Sequence, residues 1–323
     1  MSIPRTQRAW LVAAKGTPAQ VLRMDDNVPV PTLAKGEVLV QVRAAALNPV
    51  AYKIMGMVPG FILKRPYIPE HDLAGIVVDA NGSKFKTGDE VFGFLSAPPA
   101  FRRPSGTLAQ YARVPASALV CRPTNISWTE AAGIPLVAMT AYQALFKIAK
   151  LEAGQSVFVN GGSTAVGAFA IQLAKANGCT VAASASGKNE AFVRGLGADE
   201  FFDYTKGPLH ETLAAANLPK FHVFLEAVGP QPKGFDIGGF WKLVWKVYLQ
   251  PGWLGGTRRS WRIISVANNG DDLQRVAAYV SEGKIKPIVD STFAFEDALE
   301  AYERMTSGRA TGKIVIKVDP NVD

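Results

Sequence analysis

The sequence predicts an α/β protein built from two parts of different character. Up to residue 125, short apolar runs are separated by glycine and proline, which is typical of short β-strands joined by tight turns. From residue 126, apolar strands alternate with helices, the pattern of a parallel sheet covered by helices on both faces. The chain has 323 residues, 48% hydrophobic and 19% charged, so either two domains or one large domain with a full core can form.

The first part is expected to form a small, barrel-like β domain. Its predicted strands lie at residues 9–14, 38–44, 73–79, 90–95 and 108–114. The sequence Ala80, Asn81, Gly82 predicts a turn after residue 79, and the Pro- and Arg-rich stretch 97–104 predicts a surface loop.

The second part is predicted to be the parallel sheet with its helices. Two helices come first, at 128–134 and 138–148. The alternation follows, with strands at 156–160, 180–184, 200–204 and 223–227 and helices at 165–177, 189–196 and 209–217. Toward the end, strands are predicted at 262–267 and 313–318 and helices at 272–282 and 295–306.

Composition excludes several classes of protein. Two cysteines, Cys121 and Cys179, exclude a disulfide scaffold and a four-cysteine zinc site, and they fit a reducing compartment. Residues 1–8 contain no apolar segment, so no secretory signal is expected, and no uncharged run reaches the ~20 residues of a membrane span. We expect a cytoplasmic protein and leave a mitochondrial association open.

The formal net charge of +8 leaves two interpretations open. It can indicate an anionic partner, such as nucleic acid, an anionic membrane or a phosphorylated ligand. It is also compatible with an ordinary basic enzyme. Because Lys and Arg are spread along the chain, we favour the enzyme and expect no nucleic-acid partner.

The segment 156–167 reads SVFVNGGSTAVG and predicts a strand, a glycine-rich turn and a helix start. The N–H groups and partial positive charge of a helix N-terminus suit a pyrophosphate. The G-x-G-x-x-G frame falls on Gly162, Thr164 and Gly167, so its middle glycine is missing, and a purely structural turn is the alternative. The predicted dinucleotide contacts are Gly162, Ser163, Thr164, Ala165, Val166 and Gly167.

The end of the second strand predicts NADPH rather than NADH. A carboxylate is expected there when the ribose 2′-hydroxyl is free. This chain instead has Ser186, Gly187, Lys188 and Asn189, and Tyr204 ends the third strand. A serine and a lysine suit a 2′-phosphate, although Lys188 can also be a solvated residue at a helix start.

Six further segments carry a family resemblance: 45–53 (AALNPVAYK), 69–77 (PEHDLAGIV), 86–93 (KTGDEVFG), 106–111 (GTLAQY), 140–142 (TAY) and 312–315 (GKIV). With them, the chain resembles the medium-chain dehydrogenase/reductase superfamily, nearest its zinc-independent quinone, enone and enoyl reductases. The loop 161–167 is most similar to fungal trans-acting enoyl reductases that partner polyketide synthases.

The resemblance implies a GroES-like catalytic domain of residues 1–125 and 268–323, a Rossmann NADP-binding domain of 126–267, and an active site in the cleft between them. It implies that Lys53 is a polar contact to cofactor or substrate and that Thr140 lies beside the nicotinamide. Tyr52 is a weaker candidate, with a packing role as the alternative. Further implied cofactor contacts are Val50, Ala51, Ala227 and Val228. A homodimer is also implied as an option.

Zinc-dependent relatives use a cysteine near position 50 and a Gly-His-Glu motif. Here the first region is NPVAYK, without a thiol, and the second reads Glu70, His71, Asp72. One histidine without a thiolate partner cannot form a catalytic zinc site, so we expect no metal. His71 is interpreted as a hydrogen-bonded structural residue at a strand start.

Two features depart from the family pattern. Residues 228–232 run almost directly into 234–239, so the fifth sheet strand and its helix are expected to be shortened or absent. In the aromatic segment 240–249, Trp241, Val244, Trp245 and Tyr248 would share one helical face. That helix can pack in the core or a dimer, form a lid, or lie on a membrane.

We therefore predict an NADPH-dependent reductase of enones, enoyl thioesters or quinones that works by hydride transfer without zinc. Positioned hydrogen-bond donors would stabilise charge on the substrate oxygen. The alternative is a cofactor-binding protein without turnover, such as a membrane- or RNA-associated adaptor. A zinc-free alcohol or ketone reductase is disfavoured, because neither a metal site nor a clear proton relay is readable.

Overall fold

The computed structural model describes residues 3–96, 105–216, 218–228 and 262–322. Three predicted features lie outside the described residues: the surface loop at 97–104, the shortened region after Gly229 and the aromatic helix at 240–249. The fold below is therefore that of the four described ranges.

The first part is rich in β-structure. Its elements are β1 (Thr6–Val12), α1 (Pro18–Val21), β2 (Leu22–Pro29), β3 (Glu37–Ala46), α2 (Pro49–Met57), β4 (Asp72–Asp79), β5 (Glu90–Phe94), β6 (Tyr111–Pro115) and β7 (Leu119–Cys121). Asn81 and Gly82 have positive φ angles of 44° and 69°, which confirms the predicted turn after β4.

The remaining elements alternate as the sequence predicts. They are α3 (Trp128–Ala132), α4 (Pro135–Tyr142), a π-helix (Gln143–Ile148), β8 (Ser156–Asn160), α5 (Ala165–Ala176), β9 (Thr180–Ala185), α6 (Glu190–Gly195), β10 (Glu200–Asp203), α7 (Leu209–Ala215), β11 (Val223–Glu226), α8 (Gly270–Ser281), β12 (Val289–Ala294), α9 (Ala298–Thr306) and β13 (Lys313–Lys317).

The β-rich part is organised around β3. This strand pairs antiparallel with β4, β6 and β13, and the sheet runs in the order β12-β13-β3-β4-β5-β7. The strands β1 and β2 form a separate antiparallel pair. The C-terminal strands β12 and β13 thus join the sheet begun near the N-terminus, as the predicted split domain requires.

The second sheet contains four parallel strands in the order β10-β9-β8-β11 within the described residues. Val157, Phe158 and Val159 in β8 are fully buried, which is expected for a strand covered on both faces. Because all four strands run the same way, their carboxyl ends meet at one edge, where ligands bind in open α/β sheets.

Residues 262–267 were predicted to form a strand, and this prediction was wrong: the segment has no regular secondary structure. Side chains satisfy its backbone instead. The Gln143 amide donates to the Ala267 carbonyl oxygen at 2.9 Å, and its oxygen accepts from the Ala267 N–H at 2.9 Å. The Asn268 amide donates to the Phe94 carbonyl oxygen at 2.6 Å. The end of the segment, with Asn268, therefore bridges the π-helix and β5 rather than extending a sheet.

One cluster of buried side chains crosses between the two parts. It contains Ala44 and Phe92 from the β-rich sheet, Val157 and Phe169 from the parallel-sheet unit, and Leu273 from α8. The two parts therefore share a packed interface, and the domain limits at 125/126 and 267/268 remain a prediction.

Within the described residues, no helix combines the length and hydrophobicity needed to cross a bilayer.

Candidate active site

The glycine turn between β8 and α5 makes close contacts that exclude side chains. Gly161 has a φ of 83°, and the N–H groups of Gly161 and Gly162 both donate to the Ser184 carbonyl oxygen, at 3.1 and 2.7 Å. A Cβ atom on Gly167 would lie 2.2 Å from the Gly161 oxygen. Gly167 therefore lets α5 approach the turn, which is the contact expected of the last glycine in the motif.

Thr164 starts α5 by capping it. Its hydroxyl donates to the Gly161 carbonyl oxygen at 2.8 Å and accepts from the Gly167 N–H at 3.0 Å. The N–H groups of Ala165 and Val166 lie in the first turn, where no intrahelical acceptor exists. These groups lie beside Gly162 and Ser163 at the carboxyl edge of the sheet, and unpaired N–H groups at a helix N-terminus are suited to an anion.

A polar chain that the sequence did not reveal supports this turn. The Ser184 hydroxyl donates to the Asn160 side-chain oxygen at 2.6 Å, and the Asn160 amide donates to a Glu226 carboxylate oxygen at 2.6 Å. The other Glu226 oxygen accepts from the Val228 N–H at 2.8 Å. The chain links the ends of β8, β9 and β11, and it brings the predicted contacts Ala227 and Val228 beside the glycine turn.

The predicted 2′-phosphate residues also lie together. Ser186 begins a single 3₁₀ turn (Gly187–Asn189), with the Asn189 N–H donating to the Ser186 carbonyl oxygen at 2.8 Å. Lys188 is exposed, and Tyr204 is 54% exposed next to the end of β9, where its N–H donates to the Ala185 carbonyl oxygen. This polar, accessible corner presents the Lys188 side chain to solvent.

A carboxylate, Asp203, also reaches this corner from β10. Its Oδ1 accepts from the Thr205 hydroxyl at 2.7 Å and from the Thr205 N–H at 2.9 Å, and these bonds lower the pKa of Asp203. A Cβ on Gly187 would lie 2.4 Å from the Asp203 Oδ2. The Asp203 carboxylate therefore accepts from Thr205 with one oxygen and lies against Gly187 with the other, so a negative charge borders the 186–189 corner.

Lys53 and Tyr52 project from α2 into a large cavity of about 1240 Å³ between α1, α2 and α9. We call it the larger cavity; it is lined by Thr17, Tyr52, Lys53, Leu299, Tyr302 and Glu303 among others. Its walls combine apolar side chains with the Lys53 ammonium and the Glu303 carboxylate. Val50, in the first turn of α2, is 40% exposed.

Another part of α2 borders a smaller cavity of about 230 Å³. The smaller cavity is lined by Ala51, Ile54, Leu63, Tyr67, Glu70 and His71 among others, and it shares Val58 and Ile62 with the larger cavity. Most of its lining side chains are apolar. The two cavities therefore adjoin across the end of α2.

Glu70 is a buried acid in the wall of the smaller cavity. Its backbone has a positive φ of 70°, its Oε1 accepts from the Tyr302 hydroxyl at 2.5 Å, and its Oε2 accepts from the Asn48 N–H at 3.0 Å. Burial raises the pKa of Glu70 to about 8, against the opposing effect of the Tyr302 hydrogen bond. The carboxyl is therefore mostly protonated at neutral pH.

His71 is neutral and structural, as the sequence suggested. Its Nδ1–H donates to the Leu95 carbonyl oxygen at 2.8 Å, and burial lowers its pKa. The remaining ring nitrogen, Nε2, is then an acceptor. Among the described residues, no group of three or more His, Cys, Asp or Glu side chains could hold a metal ion.

Asp72 and Lys313 form a buried ion pair that positions α4. The Lys313 ammonium donates to the Leu47 carbonyl oxygen, Asn48 Oδ1 and Asp72 Oδ2 at 2.8, 2.6 and 3.0 Å. Asp72 Oδ1 accepts from the Leu136 N–H at the start of α4. Because α4 also packs against α5, it connects the wall of the smaller cavity to the glycine turn.

Thr140 lies on α4, half-buried, and its hydroxyl donates to the Leu136 carbonyl oxygen at 2.7 Å. The predicted site residues thus fall into three groups. The turn residues and the 186–189 corner share the carboxyl edge of the parallel sheet, Thr140 lies on the connecting helix, and Lys53 with Tyr52 lines the larger cavity.

Comparison with known proteins agrees with this architecture. The family model described as an alcohol dehydrogenase GroES-like domain matches residues 34–124, and the one described as a zinc-binding dehydrogenase matches 196–316. A trans-enoyl reductase of Aspergillus terreus is 35% identical, covering 98% of this chain and 98% of its own. An Arabidopsis thaliana NADPH-dependent alkenal/one oxidoreductase is also 35% identical, covering 98% and 80%. The quinone oxidoreductase structure from Coxiella burnetii superposes with a TM-score of 0.79 at 25% identity, covering 97% and 99%.

Proposed function

This chain belongs to the medium-chain dehydrogenase/reductase superfamily, with a GroES-like domain and a Rossmann-type parallel sheet. On that premise we propose that it is an NADPH-dependent reductase of activated C=C bonds, in enones or enoyl thioesters, or of quinones. The observation that carries the proposal is the glycine turn at the carboxyl edge of the parallel sheet, linked through α4 to a mainly apolar cavity.

The residues present fit NADPH. A Cβ on Gly161 would lie 2.6 Å from Val228 and one on Gly167 would lie 2.2 Å from the Gly161 oxygen, so the turn is close-packed. The N–H groups in the first turn of α5, at Ala165 and Val166, are the ones proposed to bind a diphosphate. Ser186, Lys188 and Asn189 supply donors for a 2′-phosphate, with Tyr204 beside them. The bound cofactor supplies a hydride for the β-carbon of the substrate, and solvent supplies the proton for the α-carbon.

The chain's own groups orient the reactants. Thr140 on α4, and Val50 and Ala51 in the first turn of α2, are proposed to border the nicotinamide, as the family resemblance implies. Lys53 is proposed as a polar contact to the cofactor or substrate from the larger cavity, with Tyr52 as a weaker contact. The apolar wall of the smaller cavity is proposed to exclude water from the reacting atoms.

The reaction is proposed to proceed without zinc, because the side chains that could bind the ion already have other partners. His71 uses Nδ1 on Leu95, while Asp72 is occupied by Lys313, Asn48 and the start of α4. No thiol lies near the start of α2 in the sequence NPVAYK. A catalytic zinc ion needs three protein ligands, which this set does not supply.

The test is oxidation of NADPH, followed by its absorbance, with benzalacetone, crotonyl-CoA and menadione in parallel. We expect turnover with at least one of them and a preference for NADPH over NADH. Binding of NADPH without turnover on any of the three would instead support a non-catalytic cofactor-binding protein.

The remaining aspects of the proposal rest on the sequence and the relatives. A polyketide synthase is proposed as a possible partner, because a trans-enoyl reductase is among the most similar relatives. A homodimer, a cytoplasmic location and the domain limits stated above are proposed on the sequence alone.

A further inference from the structure

We propose that the Tyr67 hydroxyl donates a hydrogen bond to the carbonyl oxygen of a substrate bound in the smaller cavity, where it stabilises the negative charge that gathers on that oxygen during reduction. The proposal rests on the function proposed above and assigns a catalytic contact to a residue that no sequence motif identified. It names the substrate class as an apolar molecule whose double bond is conjugated to a carbonyl group.

Tyr67 is buried, yet its hydroxyl has no partner. The residue is 4% exposed and lines the smaller cavity, and its oxygen makes no hydrogen bond within the described part of the chain. Buried polar atoms in native proteins are nearly always paired, because an unpaired hydroxyl costs about 1–3 kcal/mol. A buried hydroxyl without a protein acceptor, on a residue that lines a cavity, is therefore suited to a ligand acceptor that enters beside it.

The backbone and the ring of Tyr67 are held in place. Tyr67 forms a β-bridge with Val12, with the Val12 N–H donating to the Tyr67 carbonyl oxygen at 2.8 Å. The Arg65 guanidinium lies 5.9 Å from the ring centroid. Burial raises the pKa of Tyr67 to about 12, so the hydroxyl keeps its proton at neutral pH. A fixed, protonated donor in a water-poor site is what stabilises a developing oxyanion.

The other buried polar groups of this cavity already have protein partners, and its two serines are more accessible to water. Both Glu70 carboxyl oxygens are bonded, to Tyr302 and Asn48, and the His71 Nδ1–H is bonded to Leu95. With Nδ1 protonated, His71 Nε2 is an acceptor. Ser96 is exposed and Ser105 half-buried, so neither is as shielded from water as Tyr67. Among the described lining residues, Tyr67 is therefore the one whose buried hydroxyl has no protein partner.

The position of Lys53 strengthens the assignment. Lys53 lines the larger cavity, whereas Ala51, Ile54 and Tyr67 line the smaller one. Lys53 was proposed to contact either the cofactor or the substrate oxygen, and Tyr67 can now be assigned the second of these contacts. Tyr67 would donate to the carbonyl oxygen of the substrate, and Lys53 would contact the cofactor.

The first measurement detects the hydrogen bond from Tyr67 to a bound carbonyl oxygen without relying on turnover. The enal para-dimethylaminocinnamaldehyde, whose absorption shifts to the red when its carbonyl oxygen accepts a hydrogen bond, is titrated into the protein with NADP⁺. We expect a saturable red shift with the wild-type protein. In Tyr67→Phe, which removes only the hydroxyl, the probe should bind with a much smaller shift.

The matched control is Thr107→Val. Thr107 is fully buried with an equally unpartnered hydroxyl, but it does not line the cavity, so this variant should keep the shift. An unshifted probe in the wild-type protein, or equal shifts in wild type and Tyr67→Phe, would overturn the proposal.

The second measurement is steady-state reduction of benzalacetone by NADPH. Tyr67→Phe should lower kcat/KM about 100-fold, the usual effect of removing one oxyanion donor, with an unchanged KM for NADPH. Thr107→Val should retain the wild-type value. If the wild type reduces benzalacetone and Tyr67→Phe does so equally well, the Tyr67 contact is wrong while the proposed function stands. If no substrate class is reduced, the proposed function itself fails.

Discussion

Glu70 shows how one buried side chain can link pH to stability. It lies in a left-handed backbone conformation and shares its carboxyl with Tyr302 and Asn48, near the Asp72–Lys313 pair. Burial disfavours its charged form, so the folded protein holds a proton that the unfolded chain releases at a much lower pH. This proton is the source of a measurable pH dependence.

We predict that Glu70→Gln flattens the pH dependence of the unfolding free energy. Burial raises the pKa of Glu70 from 4.5 to about 8. The stabilisation from its bound proton is therefore fully present below about pH 4.5 and is lost as the pH rises through about 8. Between about pH 5.5 and about pH 7.5, the wild type should lose up to about 1.4 kcal/mol per pH unit relative to the variant. Urea unfolding at several pH values measures this, and parallel curves for the two proteins would contradict it.

Lys188 is the residue on which cofactor choice is expected to depend. We predict that Lys188→Ala raises the KM for NADPH about tenfold and leaves that for NADH nearly unchanged, because only NADPH offers a phosphate to the ammonium. Lys220→Ala, at another exposed lysine, is the control for loss of positive charge. Equal effects of Lys188→Ala on both cofactors would show that this lysine does not contact the 2′-phosphate.

Several residues of the candidate site could not be found in the sequence. The glycine turn, Lys188 and Tyr204 were predicted because a local pattern marks them. Asp203 and Tyr67 were missed, because their importance comes from neighbours distant in the chain, Gly187 in one case and the cavity wall in the other. An unpaired buried hydroxyl has no sequence signal.

At the scale of elements, local apolar patterns were sufficient to predict the strands of the parallel sheet. The strands β8 to β11 and helix α5 lie within one or two residues of their predicted limits, because buried strands are continuously apolar and Thr164 caps the helix. The helix α2 and the strands β2 and β12 were not predicted. β12 has mostly half-buried and exposed residues, so its pairing with β13 and not its composition makes it a strand.

The segment 262–267 illustrates the opposite error. Its apolar residues suggest a strand, but the Gln143 side chain takes the place of a neighbouring strand at Ala267. Gln143 is buried at the start of a π-helix that sequence reasoning read as plain helix. Long-range side-chain to backbone hydrogen bonds of this kind leave no periodicity to read.

The start of α4 depends on the buried Asp72–Lys313 pair. We predict that Lys313→Met lowers the unfolding free energy by about 3–5 kcal/mol, because it leaves the Asp72 carboxylate buried without its cation. The Lys313 and Asp72 side chains are 3% and 0% exposed, whereas the Lys175–Asp199 pair is 35% and 39% exposed. Lys175→Met should therefore cost less than about 1 kcal/mol. Similar losses in both variants, measured by urea unfolding, would contradict the structural role of the buried pair.

At the scale of the whole molecule, the two parts are joined by a shared core and by α4. One end of α4 is bound by Asp72 from the β-rich sheet, and its body packs on α5 of the parallel-sheet unit. The cavity wall and the glycine turn therefore belong to one connected framework. On the proposed function, that connection would hold a dinucleotide on the turn and a substrate in the cavity in a defined geometry.

The proposed NADPH-dependent reduction depends most on binding of a phosphorylated dinucleotide at the glycine turn. The most direct measurement is titration of the purified protein with NADPH, followed by nicotinamide fluorescence or calorimetry, with NADH in parallel. Saturable, one-to-one binding of NADPH that is tighter than binding of NADH is the predicted result. Absence of saturable NADPH binding would contradict the central claim and, with it, the proposed reduction.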